Sequence, residues 1–568
     1  MSETSPLSLH YLRSQIVGID TQIDTAFGKR LITYADYTAS GRSLRFIEDY
    51  LLEKQALYAN SHTEDDTTGR VTTELLHQAE ARIKQAVNAG PDGRIIATGT
   101  GATGAIDRMQ QIVGVRLAPA SRMILEQLTS SFLSAEKNAE FNTYREHHQP
   151  VVFVGPYEHH SNELSWREGI CTVVEVNLDA EGAIDLKHLE ALLNDPAYDN
   201  RLRIGSFSAA SNVTGMISPV AEIAALLHQH DALAFFDYAA SAPYVNIDMN
   251  PPANADIEGD ISLDAIFISP HKFLGGPGAS GVLVFNQRCY HGDLPPTLAA
   301  GGTVDYVGPD SHTFIPDIEA REKSGTPGIL QTLKAALVFE IKATIGAETI
   351  EAREHSMTEQ AIQRWGAHQN IDILGNPDPK RRVGIISFNI LRNGKQLLHP
   401  RFVTTLLDDL FGIQSRAGCS CAGPYGHQLL GIDHLHSERY KHWITKGFHG
   451  IKPGWCRIGF HYVFDDYETA FILDAVEFIA DYGYRFLPLY SFDNHTGIWQ
   501  HKLFEKPSIS FSVNEATRKT PTLKAPAALS DNERSNLYLS YLEAALDMAD
   551  KLGEPPADMP LFPDEVET

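Results

Sequence analysis

The sequence predicts an α/β protein: a large domain on a mainly parallel, helix-covered sheet, followed by a smaller α+β domain. Three observations carry this expectation. From Arg94 to about Phe285, short apolar runs of strand character alternate with amphipathic helical patterns, as parallel sheets with crossover helices require. After Gly325-Thr326-Pro327 the alternation stops, and long helical patterns are followed by strands. With 568 residues, 43% hydrophobic and 21% charged, the chain is long enough for two or more domains and a sizeable core.

In order, residues 1 to about 30 read as a helical lead-in. Leu31-Ile32-Thr33-Tyr34-Ala35-Asp36-Tyr37 reads as a strand entering the small-residue turn Thr38-Ala39-Ser40-Gly41. Ile47, Leu51 and their neighbours give one apolar helical face, Asn60-Ser61-His62-Thr63 starts a polar loop, and Leu75, Leu76, Ala79, Ile83 and Val87 mark a longer helix. Strands are expected at 95–98, 151–154, 172–176, 203–207, 233–236, 265–268 and 281–285, with helices at 106–115 and 220–227. The second domain offers helices from about 329 into the region of Lys342 and at 350–365 and 467–482, with strands at 383–390 and 413–415. The expected division is 1–50 as an N-terminal segment packing with the small domain, 51–325 as the large domain and 326–482 as the small one. Residues 483–568 form a Pro-rich appendage with one clear helix at 531–552 and an acidic end at 564–567.

A net charge of −25 argues against nucleic acid or an anionic membrane as the main partner. Residues 1–9 show neither the basic nor the apolar region of a signal peptide, and no stretch reaches the 18 apolar residues of a membrane span. Five scattered cysteines do not make a disulfide framework, so a cytoplasmic setting is expected, with no metal site.

The chemistry gathers at strand ends. Ile266-Phe267-Ile268 runs into Ser269-Pro270-His271-Lys272 and a Gly-rich turn. A lysine there is either a surface residue or a buried amine whose depressed pKa suits Schiff-base chemistry with pyridoxal phosphate. Thr98-Gly99-Thr100-Gly101-Ala102-Thr103 follows a strand and opens a helix, which makes it a phosphate cradle or a plain turn. Asp237 closes an apolar strand 35 residues before Lys272 (272 − 237), either as a helix cap or as the partner of a protonated pyridine nitrogen. One strand-and-helix unit separates the two, which brings both to one sheet edge. In Tyr157-Glu158-His159-His160, an imidazole could stack on an aromatic ring.

Two further features lie in the second domain. Arg416-Ala417-Gly418-Cys419-Ser420-Cys421 places two thiols in a small-residue loop beside an arginine, suiting a reactive cysteine, a structural pair or half of a zinc site. Arg457, in the apolar run Trp455-Cys456-Arg457-Ile458, would hold a carboxylate of the protein or of a ligand.

Taken in order, these motifs together with Ser211-Asn212-Val213-Thr214-Gly215 and Gly325-Thr326-Pro327 resemble the class V aminotransferase superfamily of fold-type I pyridoxal-phosphate enzymes. Within it they resemble the cysteine desulfurase and selenocysteine lyase branch, from about Tyr34 to about Tyr482. The resemblance implies a seven-stranded-type sheet and a homodimer. It implies that Lys272 carries the cofactor and moves the α-proton, that Asp237 pairs the ring nitrogen, that His159 stacks on the ring, and that Asn212 sits near the phenolic oxygen. Ala102, Thr103, Ser269 and His271 would hold the phosphate, and Thr326 would reach the partner's phosphate. Arg457, with Arg416 and Ala39, would receive the substrate, and Cys421 would take up sulfur as a persulfide.

Two departures stand out. Ala240 occupies the place where the family carries Gln or His, and Cys419 precedes Cys421 where histidines are common. The implied activity is desulfuration or C–S cleavage of L-cysteine or a related amino acid, with transfer to a possible sulfur-acceptor protein. Transamination, epimerisation or β-elimination without Cys421 is the alternative, and a non-catalytic scaffold is a further one.

Overall fold

The computed structural model describes residues 7–61, 63, 65–508, 511–517 and 529–555. His62 of the expected polar loop and the acidic end at 564–567 lie outside the described residues, as do residues 1–6 of the N-terminal reading. The chain forms two compact units. One comprises Ser40–Asn212 and Met216–Glu348; the other comprises Met1–Ala39, Val213–Gly215 and Thr349–Thr568. The division falls after Glu348, whereas 325/326 is the boundary expected from sequence, because the helix Ile329–Ile345 packs on the helix Thr67–Ala86 of the first of these units.

The larger unit is organised on seven strands: β1 (Gly93–Thr98), β2 (Val151–Val154), β3 (Thr172–Glu175), β4 (Arg203–Ser208), β5 (Leu233–Asp237), β6 (Ala265–Ile268) and β7 (Gly281–Asn286). Their order across the sheet is β1-β7-β6-β5-β4-β2-β3. Pairing is parallel from β6 through to β3, while β7 runs antiparallel to both β6 and β1. β1 and β6 therefore point the same way, and the C-terminal ends of six strands share one edge, where ligands of such sheets collect. β2 and β6 are buried at every position, which explains their unbroken Val/Ile/Phe character. Ile96, Phe235, Phe267 and Leu283 pack with Ile106 and Met109 of the helix Gly101–Ile112 in one core cluster.

Helices of this unit without a counterpart in the sequence reading include Pro119–Phe132, Ala135–His148 and Leu186–Leu193. Neither Pro119–Phe132 nor Ala135–His148 buries a residue, although Leu125, Leu128 and Phe132 line one face of the first at helical spacing.

The smaller unit holds β8 (Ile371–Ile373), β9 (Ile385–Arg392), β10 (Gln396–Leu398), β11 (Arg416–Gly418) and β12 (Trp455–Gly459), paired antiparallel in the order β8-β9-β12-β11 with β10 on β9. The helical lead-in expected for residues 1–30 is not what forms. A six-residue helix, Leu9–Ser14, is followed by an antiparallel hairpin of Gln22–Thr25 and Gly28–Leu31. The Thr25 hydroxyl closes its turn, donating to the Gly28 carbonyl at 2.9 Å and accepting from the Phe27 N–H at 3.2 Å. Gly28 adopts φ +100°, a conformation that ordinary side chains resist.

The described part of residues 483–568 belongs to this unit. Its helix Asp531–Leu552 begins with a capping box between Ser530 and Glu533 and stacks Tyr538 on Phe471 at 4.0 Å. Arg534, fully buried, pairs with Asp465 at 2.5 Å and Asp531 at 2.7 Å, while Arg13 pairs with Glu468 at 3.0 Å and Asp20 at 3.3 Å. Helices from both ends of the chain are thereby tied to the start of the helix Asp466–Tyr482. Among the described residues no helix is long and apolar enough to cross a membrane.

Candidate active site

At the common sheet edge, β1 hands over to the helix Gly101–Ile112. Gly101 sits at φ +58°, and a Cβ there would lie 2.9 Å from Ser269 Oγ and 3.6 Å from the His271 ring. A Cβ on Gly281 would lie 2.2 Å from the Gly101 carbonyl oxygen, so this turn, the Ser269–His271 corner and the start of β7 are pressed together without side chains. The Ala102 N–H donates to Ser269 Oγ at 2.9 Å, and Thr103 Oγ1 lies 2.7 Å from Ser161 Oγ. Ser161 in turn donates its N–H to His159 Nδ1 at 3.2 Å. His159 and Thr103 are thus linked through one serine.

The segment around Lys272 is held by residues 41 and 42 of the same unit: the Gly41 N–H donates to the His271 carbonyl at 2.9 Å and the Gly275 N–H to the Arg42 carbonyl at 2.7 Å. Lys272 is half-buried beside His271, and burial together with the lysine's charge pushes the His271 imidazole down to about 4. Asp237, buried at the end of β5, accepts from the Ala239 N–H at 2.8 Å. Burial raises its carboxyl above the ordinary range, against the pull of that N–H and of the positive charge on Lys272. Ala240 is buried close by.

Glu158, a residue that sequence reading left without a role, is buried beside this acid. It accepts from the Ser208 N–H at 2.8 Å, the Ser208 hydroxyl at 2.7 Å and Asn162 Nδ2 at 2.7 Å. Burial lifts it to about 7, and the Asp237 charge adds to the rise. Asn212 is buried where the larger unit's first segment ends, and Thr326 is exposed, its hydroxyl accepting from Asn60 Nδ2 at 3.1 Å.

The smaller unit brings together a second set. Arg416 on β11 and Arg457 on β12 are direct cross-strand partners. Between them stands Asp36, accepting from Arg416 Nε at 2.9 Å and from Arg457 Nη2 at 3.0 Å. Asp36 was read only as a strand residue, since a lone acid after an apolar pair carries no signal of its own. Ala39, three residues on, is half-buried. β11 leads directly into Cys419-Ser420-Cys421, where Ser420 and Cys421 take left-handed φ values of 48° and 57° and the Ala422 N–H donates to the Cys419 carbonyl at 3.0 Å. Cys421 is exposed and Cys419 half-buried, whereas Cys171, Cys289 and Cys456 are buried. Burial pushes the Cys171 thiol up to about 11 and that of Cys456 to about 12, which removes both from thiolate chemistry.

Residues 139–465, more than half of the chain, match the family model of class V aminotransferases. The chain belongs to the class V aminotransferase family. As a member of that family it is similar to a probable cysteine desulfurase of Streptomyces coelicolor, 26% identical over 424 residues, which are 74% of this chain and 89% of the relative. A probable cysteine desulfurase of Staphylococcus aureus is 28% identical over 405 residues, 70% of this chain and 84% of the relative. One from Halalkalibacterium halodurans is 29% identical over 277 residues, 48% of this chain, and the match spans 62% of that relative's length. Among solved structures, a cysteine desulfurase of Thermococcus onnurineus in its apo form superposes with a TM-score of 0.61 at 20% identity, covering 79% of this chain and 95% of its own. The cysteine desulfurase CsdA of Escherichia coli gives 0.59 at 19%, covering 83% and 98%. This class V aminotransferase family member therefore has the fold-type I architecture, a mostly parallel central sheet covered by helices.

The residues at the larger unit's sheet edge suit pyridoxal phosphate. A glycine-kept turn at the first turn of a 12-residue helix, with Ser269, Thr103 and a histidine against it, is a donor set for a phosphate. A buried carboxyl whose neighbouring cation is a strand-end lysine suits a protonated ring nitrogen and an aldehyde.

Proposed function

We propose that this chain is a pyridoxal-phosphate-dependent cysteine desulfurase. The observation that carries the reading is the buried Asp237 with Lys272 as its cationic neighbour, set at the same sheet edge as the Gly101–Ser269–His271 turn. Ala102, Thr103, Ser269 and His271 would hold the phosphate, Asp237 the ring nitrogen, and His159 and Asn212 the ring's face and phenolic oxygen. Thr326 would serve a partner subunit's site in a homodimer, and its exposure supports this. Bound there, pyridoxal phosphate supplies an electron sink for negative charge developing on the substrate's carbons.

The residues of this chain do the rest. Arg457 and Arg416 bind the α-carboxylate of L-cysteine, and Lys272 moves the α-proton. The Cys421 thiolate attacks the substrate sulfur. An S–S bond forms on Cys421 as the substrate's C–S bond breaks, the electron pair stays with carbon, and a proton completes alanine. The exposed Cys421 supports this role and leaves the persulfide reachable by an acceptor protein or thiol in the cytoplasm. The alternative without Cys421, transamination, epimerisation or β-elimination, draws on the same lysine and arginine.

The test is a product analysis on the purified protein, after checking for the absorbance band of a lysine-bound pyridoxal cofactor. With an added thiol to reduce the persulfide, L-cysteine should yield sulfide and alanine, and Cys421→Ser should keep the band and lose both products. Sulfide with pyruvate, or undiminished turnover by Cys421→Ser, would overturn the desulfurase assignment.

A further inference from the structure

Arg416 and Arg457 lie directly opposite each other on antiparallel strands, a placement that repels when both side chains are cationic. Asp36 answers that repulsion with one oxygen on each: Oδ2 accepts from Arg416 and Oδ1 from Arg457. The bridge is anchored. Arg457 is buried, its side chain 4% exposed, and the Asp36 side chain is 12% exposed, while Arg416 reaches outward at 48%. Asp36 follows the Thr33–Tyr34 strand, which pairs in parallel with Ile413–Gln414 just before β11, and the Gly459 N–H at the end of β12 donates to the Ala35 carbonyl at 2.8 Å. The backbone thus holds the acid against both strands that carry the arginines.

Two guanidiniums and one carboxylate sum to a single positive charge. We infer that Asp36 sets the charge specificity of the substrate site, so that it accepts amino acids with one carboxylate and turns away dicarboxylic ones. The inference rests on the reading of Arg457 and Arg416 as the substrate's carboxylate clamp. A lone α-carboxylate neutralises the cluster; a second acidic group on the side chain finds no spare cation, because Asp36 already neutralises one of the two guanidiniums. Leaving the extra charge of the wrong ligand without a partner is a recognised route to specificity. Asp36 is a positioning and selecting residue here and takes no part in bond breaking.

The test compares equilibrium binding of L-alanine and L-aspartate to the full-length holoprotein by titration calorimetry, alongside sulfide release from L-cysteine. The wild type should bind L-aspartate on the order of tenfold more weakly than L-alanine, the scale of one charged hydrogen bond. Asp36→Asn should erase or invert that ratio. Asp36→Asn with Arg416→Gln returns the cluster to a single positive charge and should restore the wild-type preference. It also serves where the single variant fails to fold through repulsion of the paired arginines. An unchanged ratio in Asp36→Asn, or a double variant without the wild-type preference, overturns the inference while leaving the desulfurase reading intact. A wild type that releases no sulfide and alanine from L-cysteine overturns that reading itself, a separate result.

Discussion

Replacing Arg534 by methionine tests how the C-terminal helix is held. The side chain is fully buried and its guanidinium faces Asp465, Asp531 and, at 3.8 Å, Glu468. Removing one partner of a buried ion pair costs about 3–5 kcal/mol, because the other charge is stranded. Here the cost is smaller. Asp465 also caps the helix Asp466–Tyr482, accepting from the Glu468 N–H at 2.9 Å, and Arg13 stays within 3.7 Å of it. Methionine keeps most of the volume, and Tyr538 still stacks on Phe471. The expected loss is about 2–3 kcal/mol, which at a urea m-value of about 3 kcal/mol/M is a shift of roughly 1 M in the midpoint. The control is Lys551→Ala: that lysine pairs with Asp547 across a surface where both side chains are 66% exposed, and the expected change is under about 0.5 kcal/mol. Urea unfolding followed by circular dichroism reads both. Equal, small shifts for the two variants would refute the argument that burial sets the weight of this network.

Two other outcomes follow from the site. Because the His271 imidazole is held near 4, below its ordinary 6.5, the unfolded chain takes up a proton between those values that the folded chain refuses. The cofactor-free protein should therefore lose stability as pH falls from 6.5 towards 4, and His271→Asn should lessen that slope by one group's share, buried His399 and His461 keeping theirs, in urea midpoints taken across the window; an unaltered slope would place the titration elsewhere. Gly281→Ala drives a methyl to 2.2 Å from the Gly101 carbonyl oxygen, so it should cost about 2–3 kcal/mol and weaken phosphate binding, measured as inorganic phosphate affinity of the cofactor-free protein. Unchanged affinity would show that the close approach does not shape the turn.

What the sequence made legible follows from how strongly burial writes itself into residue choice. β2 and β6 are buried along their whole length, so their apolar runs read directly, and the residues that follow them read as strand-end loops. The helix Asp531–Leu552 is legible too, and in the structure its start carries the Ser530–Glu533 capping box. The paired helices Pro119–Phe132 and Ala135–His148 were not legible: they bury nothing, and the helical spacing of Leu125, Leu128 and Phe132 does not face the core. The N-terminal hairpin was misread as helix because its strands are four residues each and its turn is closed by a threonine hydroxyl and one glycine. In the site, Lys272, Asp237 and Arg457 showed themselves as charges inside apolar runs. Asp36 and Glu158 did not: each matters through partners far away in the sequence, Arg416 and Arg457 for one, Ser208 and Asp237 for the other. Contacts across tens to hundreds of residues leave no local pattern.

In the proposed reaction, sulfur passes from the substrate to Cys421. This transfer is tested most directly by mass spectrometry of the peptide containing Cys419 and Cys421, after the holoprotein meets L-cysteine without added thiol. The expected result is the mass of one added sulfur atom localised to Cys421, together with one alanine per site. Alanine and sulfide appearing while Cys421 stays unmodified, or the added sulfur residing on Cys171, Cys289 or Cys456, would contradict it.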